Sequence, residues 1–121
     1  MRAVIDSDVL IDYLQGESRA KEEIGKYDEP LYSIISWMEV MCGADTPAKI
    51  KAASTLLSTM TRIDLTLEIA EKAVESRKQL SLKLPDAVIL ATADRCGCIL
   101  VTRNTKDFPS NDPRVRFPYL L

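Results

Sequence analysis

The strongest constraint on the fold is a rhythm. Short apolar runs recur along the chain, each separated from the next by residues with helical periodicity. Arg2 to Asp6 holds Ala-Val-Ile and ends in a carboxylate. Leu31 to Ile35 is apolar and partly β-branched, and Cys98 to Thr102 reads Cys-Ile-Leu-Val-Thr. Runs this short, without polar alternation, suit strands covered on both faces, which is the habit of parallel sheets. Arg62 to Leu65 and Val115 to Phe117 are weaker strand candidates, and Pro118 confines the second of them to an edge. Strands alternating with helices predict a single α/β domain over residues 1–121. Its expected architecture is a three-layer sandwich, a mainly parallel central sheet flanked by helices.

The helices announce themselves by caps and stripes. Val9, Leu10, Tyr13 and Leu14 fall at helical spacing before Gly16, and Glu17 to Tyr27 reads as a charged surface helix. Ser36-Trp37-Met38-Glu39 has the form of a capping box, opening a helix through Val40, Met41 and Cys42. Thr46-Pro47, a cap and then an N1 proline, starts a helix to about Met60, with Ile50, Ala53, Leu56 and Leu57 inward. Thr66 caps another to about Leu80, with Ile69, Ala73 and Val74 inward. Leu84-Pro85-Asp86 opens a very apolar helix, Ala87 to Ala93, expected to be buried on most sides and to end near Gly97.

The chain has no histidine. That excludes a Ser-His-Asp or Cys-His nucleophile, a His-ligated zinc site and a His general base. Any chemistry must run on carboxylates, hydroxyls, amines or thiols. A net charge of −2 gives no strong global pull toward nucleic acid or anionic lipid. Cys42, Cys96 and Cys98 make neither a disulfide framework nor a four-ligand zinc site, and read as small core residues in a reducing compartment. No apolar run approaches the ~20 residues of a membrane span. Asp6 comes too early for the hydrophobic region of a signal peptide. A cytoplasmic location with no membrane partner is the expectation.

In an open parallel sheet, ligands bind beyond the carboxyl ends of the strands, where the strand order reverses. The polar residues expected there come from distant parts of the chain. Asp6 closes the first strand, with Ser7 and Asp8 in the turn after it. Glu39 falls in the first turn after the second strand, and Asp86 in the first turn of the buried helix. Thr102, Asn104 and Asp107 follow the third strand. Carboxylates gathered on one rim repel each other unless something positive sits among them. Without histidine the natural partner is a hard divalent cation, Mg²⁺ or Mn²⁺, held by oxygen. Such an ion acidifies a bound water and offsets charge developing on a phosphate. Each acid also has a plainer role. Asp6 solvates its turn, Asp8 is the N-cap of the first helix, and Glu39 back-bonds in its capping box. Asp86 suits a helix N-terminus, and Asp107 is an ordinary loop residue.

These same residues carry a family resemblance. Val4-Ile5-Asp6-Ser7-Asp8-Val9-Leu10-Ile11-Asp12 resembles the first motif of PIN-domain ribonucleases, and Ser36-Trp37-Met38-Glu39-Val40 with Gly43 the second. Leu84 to Ala93 is similar to the third motif, and Leu100 to Phe108 to the fourth. The match spans nearly the whole chain and looks most like the VapC-type toxins of prokaryotic toxin–antitoxin pairs. The resemblance implies a PIN-like fold and a Mg²⁺- or Mn²⁺-dependent endoribonuclease. It implies cleavage of structured RNA, tRNA or ribosomal RNA, silencing by a cognate antitoxin, and a homodimer. Asp6, Glu39 and Asp86 match the family's acidic metal positions. Many members carry Asp two residues after the motif Thr, where this chain has Asn104; the fourth position is completed either by Asn104, which can ligate or orient through its carbonyl but carries no charge, or by the carboxylate of Asp107. Ser7 and Thr102 would support the site by hydrogen bonds, and Arg103 and Lys106 are candidates for RNA phosphate contacts. Two rivals stand beside this reading. One is a phosphatase of the haloacid-dehalogenase type, which also uses an Asp-x-Asp after its first strand. The other is a PIN-like binding module without activity, which the uncharged Asn104 would suit.

Overall fold

A computed structural model describes residues 1–121. Its elements follow in the order β1 (Arg2–Ile5), α1 (Ser7–Leu14), α2 (Ser18–Ile24), β2 (Glu29–Ser33), α3 (Ile34–Gly43), α4 (Pro47–Ser58) and β3 (Thr61–Ile63). Then come α5 (Leu67–Leu80), α6 (Leu84–Arg95), β4 (Ile99–Val101) and β5 (Val115–Arg116). The five strands form one all-parallel sheet in the order β3-β2-β1-β4-β5. The chain steps outward from β1 to β3, then crosses back to lay β4 on the other side of β1. That reversal puts the switch point between β1 and β4, with Ile5 beside Val101.

Both faces of the sheet are covered, as the apolar runs predict. Ala3, Ile5, Tyr32 and Val101 pack into a core with residues of α1, α2, α3 and α4. Val4, Leu31 and Leu100 point the other way, into a core built on α5 and α6. The alternation is the period of two of a strand, applied to a sheet with no wet face. Every residue from Ala87 to Ala93 of α6 is buried. The expected threonine caps form. Thr46 Oγ1 accepts from the Lys49 N–H at 3.2 Å, and Thr66 Oγ1 from that of Ile69 at 3.2 Å. Past α1 and α6, Gly16 (φ +89°) and Gly97 (φ +66°) take the left-handed turn that a side chain resists.

Several local expectations are corrected. The second strand begins at Glu29 and stops at Ser33, because Ser33 turns the chain. Its hydroxyl accepts from the Ile35 N–H at 3.1 Å, which makes it the N-cap of α3. Ile34 and Ile35 are therefore helical, Ser36 is buried inside the helix, and Glu39 stands in the second turn rather than in a capping box. Asp6, not Asp8, caps α1. Val74 and Ile50 are exposed. Val74 lies one residue round the helix from the Ile69–Ala73 stripe, and Ile50 sits in the opening turn of α4, before the packed stretch Ala53 to Leu57. The cysteines are not core residues. Cys42 is exposed, and Cys96 and Cys98 are only partly buried where α6 turns into β4. No helix is long and apolar enough to cross a membrane.

Candidate functional site

The site is built where β1 and β4 end side by side. Asp6 follows β1 with extended backbone (φ −71°, ψ 156°), so its carboxylate folds over the first turn of α1 and accepts from the Ser7 N–H at 2.7 Å. Thr102 follows β4, and its hydroxyl donates to the other carboxylate oxygen of Asp6 at 2.7 Å. Asp6 is 5% exposed and Thr102 fully buried. The Ser7 hydroxyl donates to Glu39 Oε1 at 3.1 Å, which ties α3 to the same corner. Asp8, one residue into α1, accepts from the Arg103 N–H at 3.1 Å through Oδ2. Its Oδ1 is buried and has no hydrogen-bond partner.

Asp6, Ser7, Asp8, Glu39 and Arg103 line a cleft of about 340 Å³ together with Asp86, Asn104, Thr105 and Lys106, with no apolar residue among them, while the fully buried Thr102 lies behind Asp6. Of the expected site residues, Asp6, Ser7, Glu39, Asp86, Arg103, Asn104 and Lys106 all face it. Asp107 does not. It accepts from Asn104 Nδ2 at 3.0 Å, returns its own N–H to Asn104 Oδ1 at 3.1 Å, and has Lys83 Nζ at 3.7 Å. That exchange holds the Asp107 carboxyl below its usual range and fixes the side chain of Asn104, which is the residue the cleft meets.

The electrostatics are those of crowded acids. Burial pushes Asp6 up to about 7, and the charges of Asp8 and Glu39 add to it, against the pull of the Thr102 hydroxyl and the Ser7 N–H. Burial also raises Asp8, opposed by the backbone N–H groups of Arg103 and Val9. Asp86 is raised by burial first and then by the charges of Asp107 and Glu39, with Lys83 opposing. The carboxylates feel one another across the cleft, and the hydrogen bonds and the Lys83 charge that oppose burial do not outweigh it. As their side chains stand, no three of these acids close into a ready-made ion cage. The donor chemistry nonetheless fits a hard divalent cation: oxygen ligands throughout, excess negative charge, and a buried Asp8 oxygen lacking a donor.

Sequence reasoning missed one connection. The Arg103 guanidinium does not reach into the cleft as a free cation. It donates from Nε and Nη2 to both oxygens of Asp12, at 2.7 and 3.2 Å, and the Tyr119 hydroxyl donates to Asp12 Oδ2 at 2.8 Å. The one available hint was the spacing of Asp8 and Asp12, which puts them on one face of α1. Lys106, by contrast, is exposed and makes no ion pair.

A family model described as PIN domain matches residues 3–112. A chain of a toxin-antitoxin complex from Klebsiella pneumoniae is 41% identical, with a TM-score of 0.91 over 98% of this chain and 99% of that one. A chain of DNA-bound VapBC from Salmonella typhimurium is 19% identical, with a TM-score of 0.76 over 96% of each chain. One of VapBC2 from Rickettsia felis, bound to a DNA fragment from their promoter, is 21% identical, with a TM-score of 0.72 over 95% of this chain and 96% of that one. The likeness to the last two is one of fold. No curated protein matches the chain.

Proposed function

This chain belongs to the PIN-domain family, and on that premise we propose that it is a Mg²⁺- or Mn²⁺-dependent endoribonuclease, the toxin of a toxin–antitoxin pair. The observation that carries the reading is the crevice at the β1–β4 switch point. There Asp6, Asp8, Glu39 and Asp86 crowd together, and no cationic side chain pairs with any of them. The Klebsiella pneumoniae structure, described as a toxin-antitoxin complex, supports a cognate antitoxin as partner. Structured RNA, tRNA or ribosomal RNA, is the substrate class, and a cytoplasmic homodimer is the working form.

Asp6, Glu39 and Asp86 would hold the cation, and the partnerless oxygen of Asp8 adds a further donor to the same cleft. Bound there, the ion supplies a more acidic water and offsets negative charge on the scissile phosphate. The chain's own residues arrange the rest. Thr102 and the Ser7 N–H fix both oxygens of Asp6, and the Ser7 hydroxyl orients Glu39. Asp107 acts through Asn104, presenting its amide to the cleft rather than a carboxylate of its own. Lys106, free at the rim, meets the RNA backbone.

The test is Asp6→Asn in antitoxin-free protein. It abolishes Mn²⁺-dependent RNA cleavage while cooperative unfolding persists. If wild-type protein binds Mn²⁺ no better than Asp6→Asn does, the nuclease reading is wrong. The inactive binding module then takes its place.

A further inference from the structure

The fourth-motif arginine has two grips on the same helix. Its main-chain N–H donates to Asp8 Oδ2 at 3.1 Å, and its guanidinium holds both oxygens of Asp12. Asp8 and Asp12 lie one turn apart on α1, so a single helix face holds residue 103 at its backbone and at its tip. Asp12 is 4% exposed, and its remaining valence goes to the Tyr119 hydroxyl. Tyr119 is itself held. The Arg19 guanidinium sits 5.2 Å from its ring centroid and donates to the Leu120 carbonyl at 2.8 Å. The residues on either side of Arg103 are the ones the cleft uses. Thr102 donates to Asp6, and the Asn104 N–H donates back to the Thr102 hydroxyl at 3.1 Å.

We propose that Arg103 is a positioning residue and not an RNA contact: Asp12 and Tyr119 lock its guanidinium so that Thr102, Asn104 and the rim through Lys106 stand at fixed places against Asp6 and Asp8. The geometry favours this over a phosphate contact because Nε and Nη2 are committed to a buried carboxylate, which holds the fork against α1 and leaves only its Nη1 side open to solvent. Freeing it for a phosphate would strand Asp12 with one phenol as its only donor. The inference rests on the nuclease reading for its consequence, since what Arg103 positions is the proposed ion site.

Two substitutions that preserve charge balance test it. Arg103→Lys keeps the cation and loses the fork. Tyr119→Phe removes one hydroxyl outside the cleft. The lock predicts that Mn²⁺ binding, read from free Mn²⁺ by electron paramagnetic resonance, weakens by about tenfold in Arg103→Lys, as for other residues that orient ligands. In Tyr119→Phe it weakens by a few-fold in the same direction. kcat falls in both variants, while KM for RNA and the salt slope of RNA binding stay at wild-type values. A phosphate contact predicts the reverse: a raised KM and a changed salt slope in Arg103→Lys, with Mn²⁺ binding intact and Tyr119→Phe silent. That result overturns the proposal. Amide exchange separates this inference from the nuclease reading. The Arg103 and Asn104 N–H groups exchange faster in Tyr119→Phe if the lock exists, whether or not the wild-type protein binds Mn²⁺. Unchanged exchange there overturns the lock, and absence of Mn²⁺ binding by wild type overturns only the nuclease reading.

Discussion

Glu23 and Asp6 are both almost fully buried, at 2% and 5% exposure, yet their proton affinities lie at opposite ends of the carboxylate range. Glu23, on α2, meets a guanidinium and a phenol. Arg116 donates from Nε and Nη2 at 2.7 and 3.0 Å, Tyr27 donates at 2.8 Å, and Lys26 Nζ lies at 3.1 Å. The Arg116 hydrogen bonds, outweighing burial and helped by Tyr27, take its carboxyl down to about 2. Asp6 meets only a hydroxyl, an N–H and other acids, and burial takes it up to about 7. Burial alone therefore decides nothing; what decides is whether the fold delivers a cation with the acid. The fold delivers one to Glu23, which welds α2 to β5. It withholds one from Asp6, whose carboxyl is left to hold its proton to an unusually high pH.

The sharpest way to break this contrast is to take the cation from the compensated site. Arg116→Ala strands Glu23 with Lys26 and Tyr27 and is expected to cost about 2–4 kcal/mol, a range reduced because the guanidinium is itself partly exposed. Urea unfolding reads the loss, and Mn²⁺ binding stays unchanged. A cost below about 1 kcal/mol would reduce the pair to an ordinary surface ion pair. The opposite change at the deficient site carries the opposite sign. Asp6→Asn removes a charge the fold does not welcome and stabilises the metal-free protein by about 1–3 kcal/mol at pH 8, shrinking as the pH falls below about 7.

The smallest effect is read without mutation. Asp6 is raised in the folded state, so its protonated form favours folding, and that contribution is lost as pH rises through about 7. Taking metal-free protein from pH 8 to pH 6 should add about 1 kcal/mol of stability. Saturating Mn²⁺ should abolish the gain, because the ion then replaces the proton. Glu23 runs the other way. Lowered to about 2, it stabilises the fold above its ordinary value of 4.5, and that support is lost as pH falls through about 2. Stability of the metal-free protein therefore peaks between the two limbs. A metal-free profile that is flat from pH 6 to pH 8 would remove Asp6 from the contrast.

What was legible in the sequence follows the range of the interactions. Thr46, Thr66 and the apolar stretch of α6 act within a turn or two of themselves, and they read correctly. Asp6 and Asp86 could be placed at one rim because topology puts strand ends together. Ser33 and Ser36 defeated local reasoning, since either serine suits a cap. The choice went to Ser33 because β2 stays paired with β3 up to Ser33, opposite Ile63, and the chain turns there. Asp8 has the residue type of an N-cap, but β1 ends at Ile5 and its last pairing leaves Asp6 at the turn. The Arg103–Asp12 and Tyr119–Asp12 bonds close over 91 and 107 residues, and nothing in the local sequence encodes such a meeting.

The placement of β1 between β2 and β4 also has a consequence in time. Asp6 is made well before its partner, because the hydroxyl that fixes it comes from Thr102, 96 residues later. During synthesis from the N-terminus, α1 and β2 can assemble around β1 while its β4 edge is still bare. The crevice cannot take shape until Thr102 and the segment through Lys106 have emerged. A ribosome-bound fragment thus carries the acids without their arrangement, and whatever the crevice does is withheld until the chain has been made at least that far.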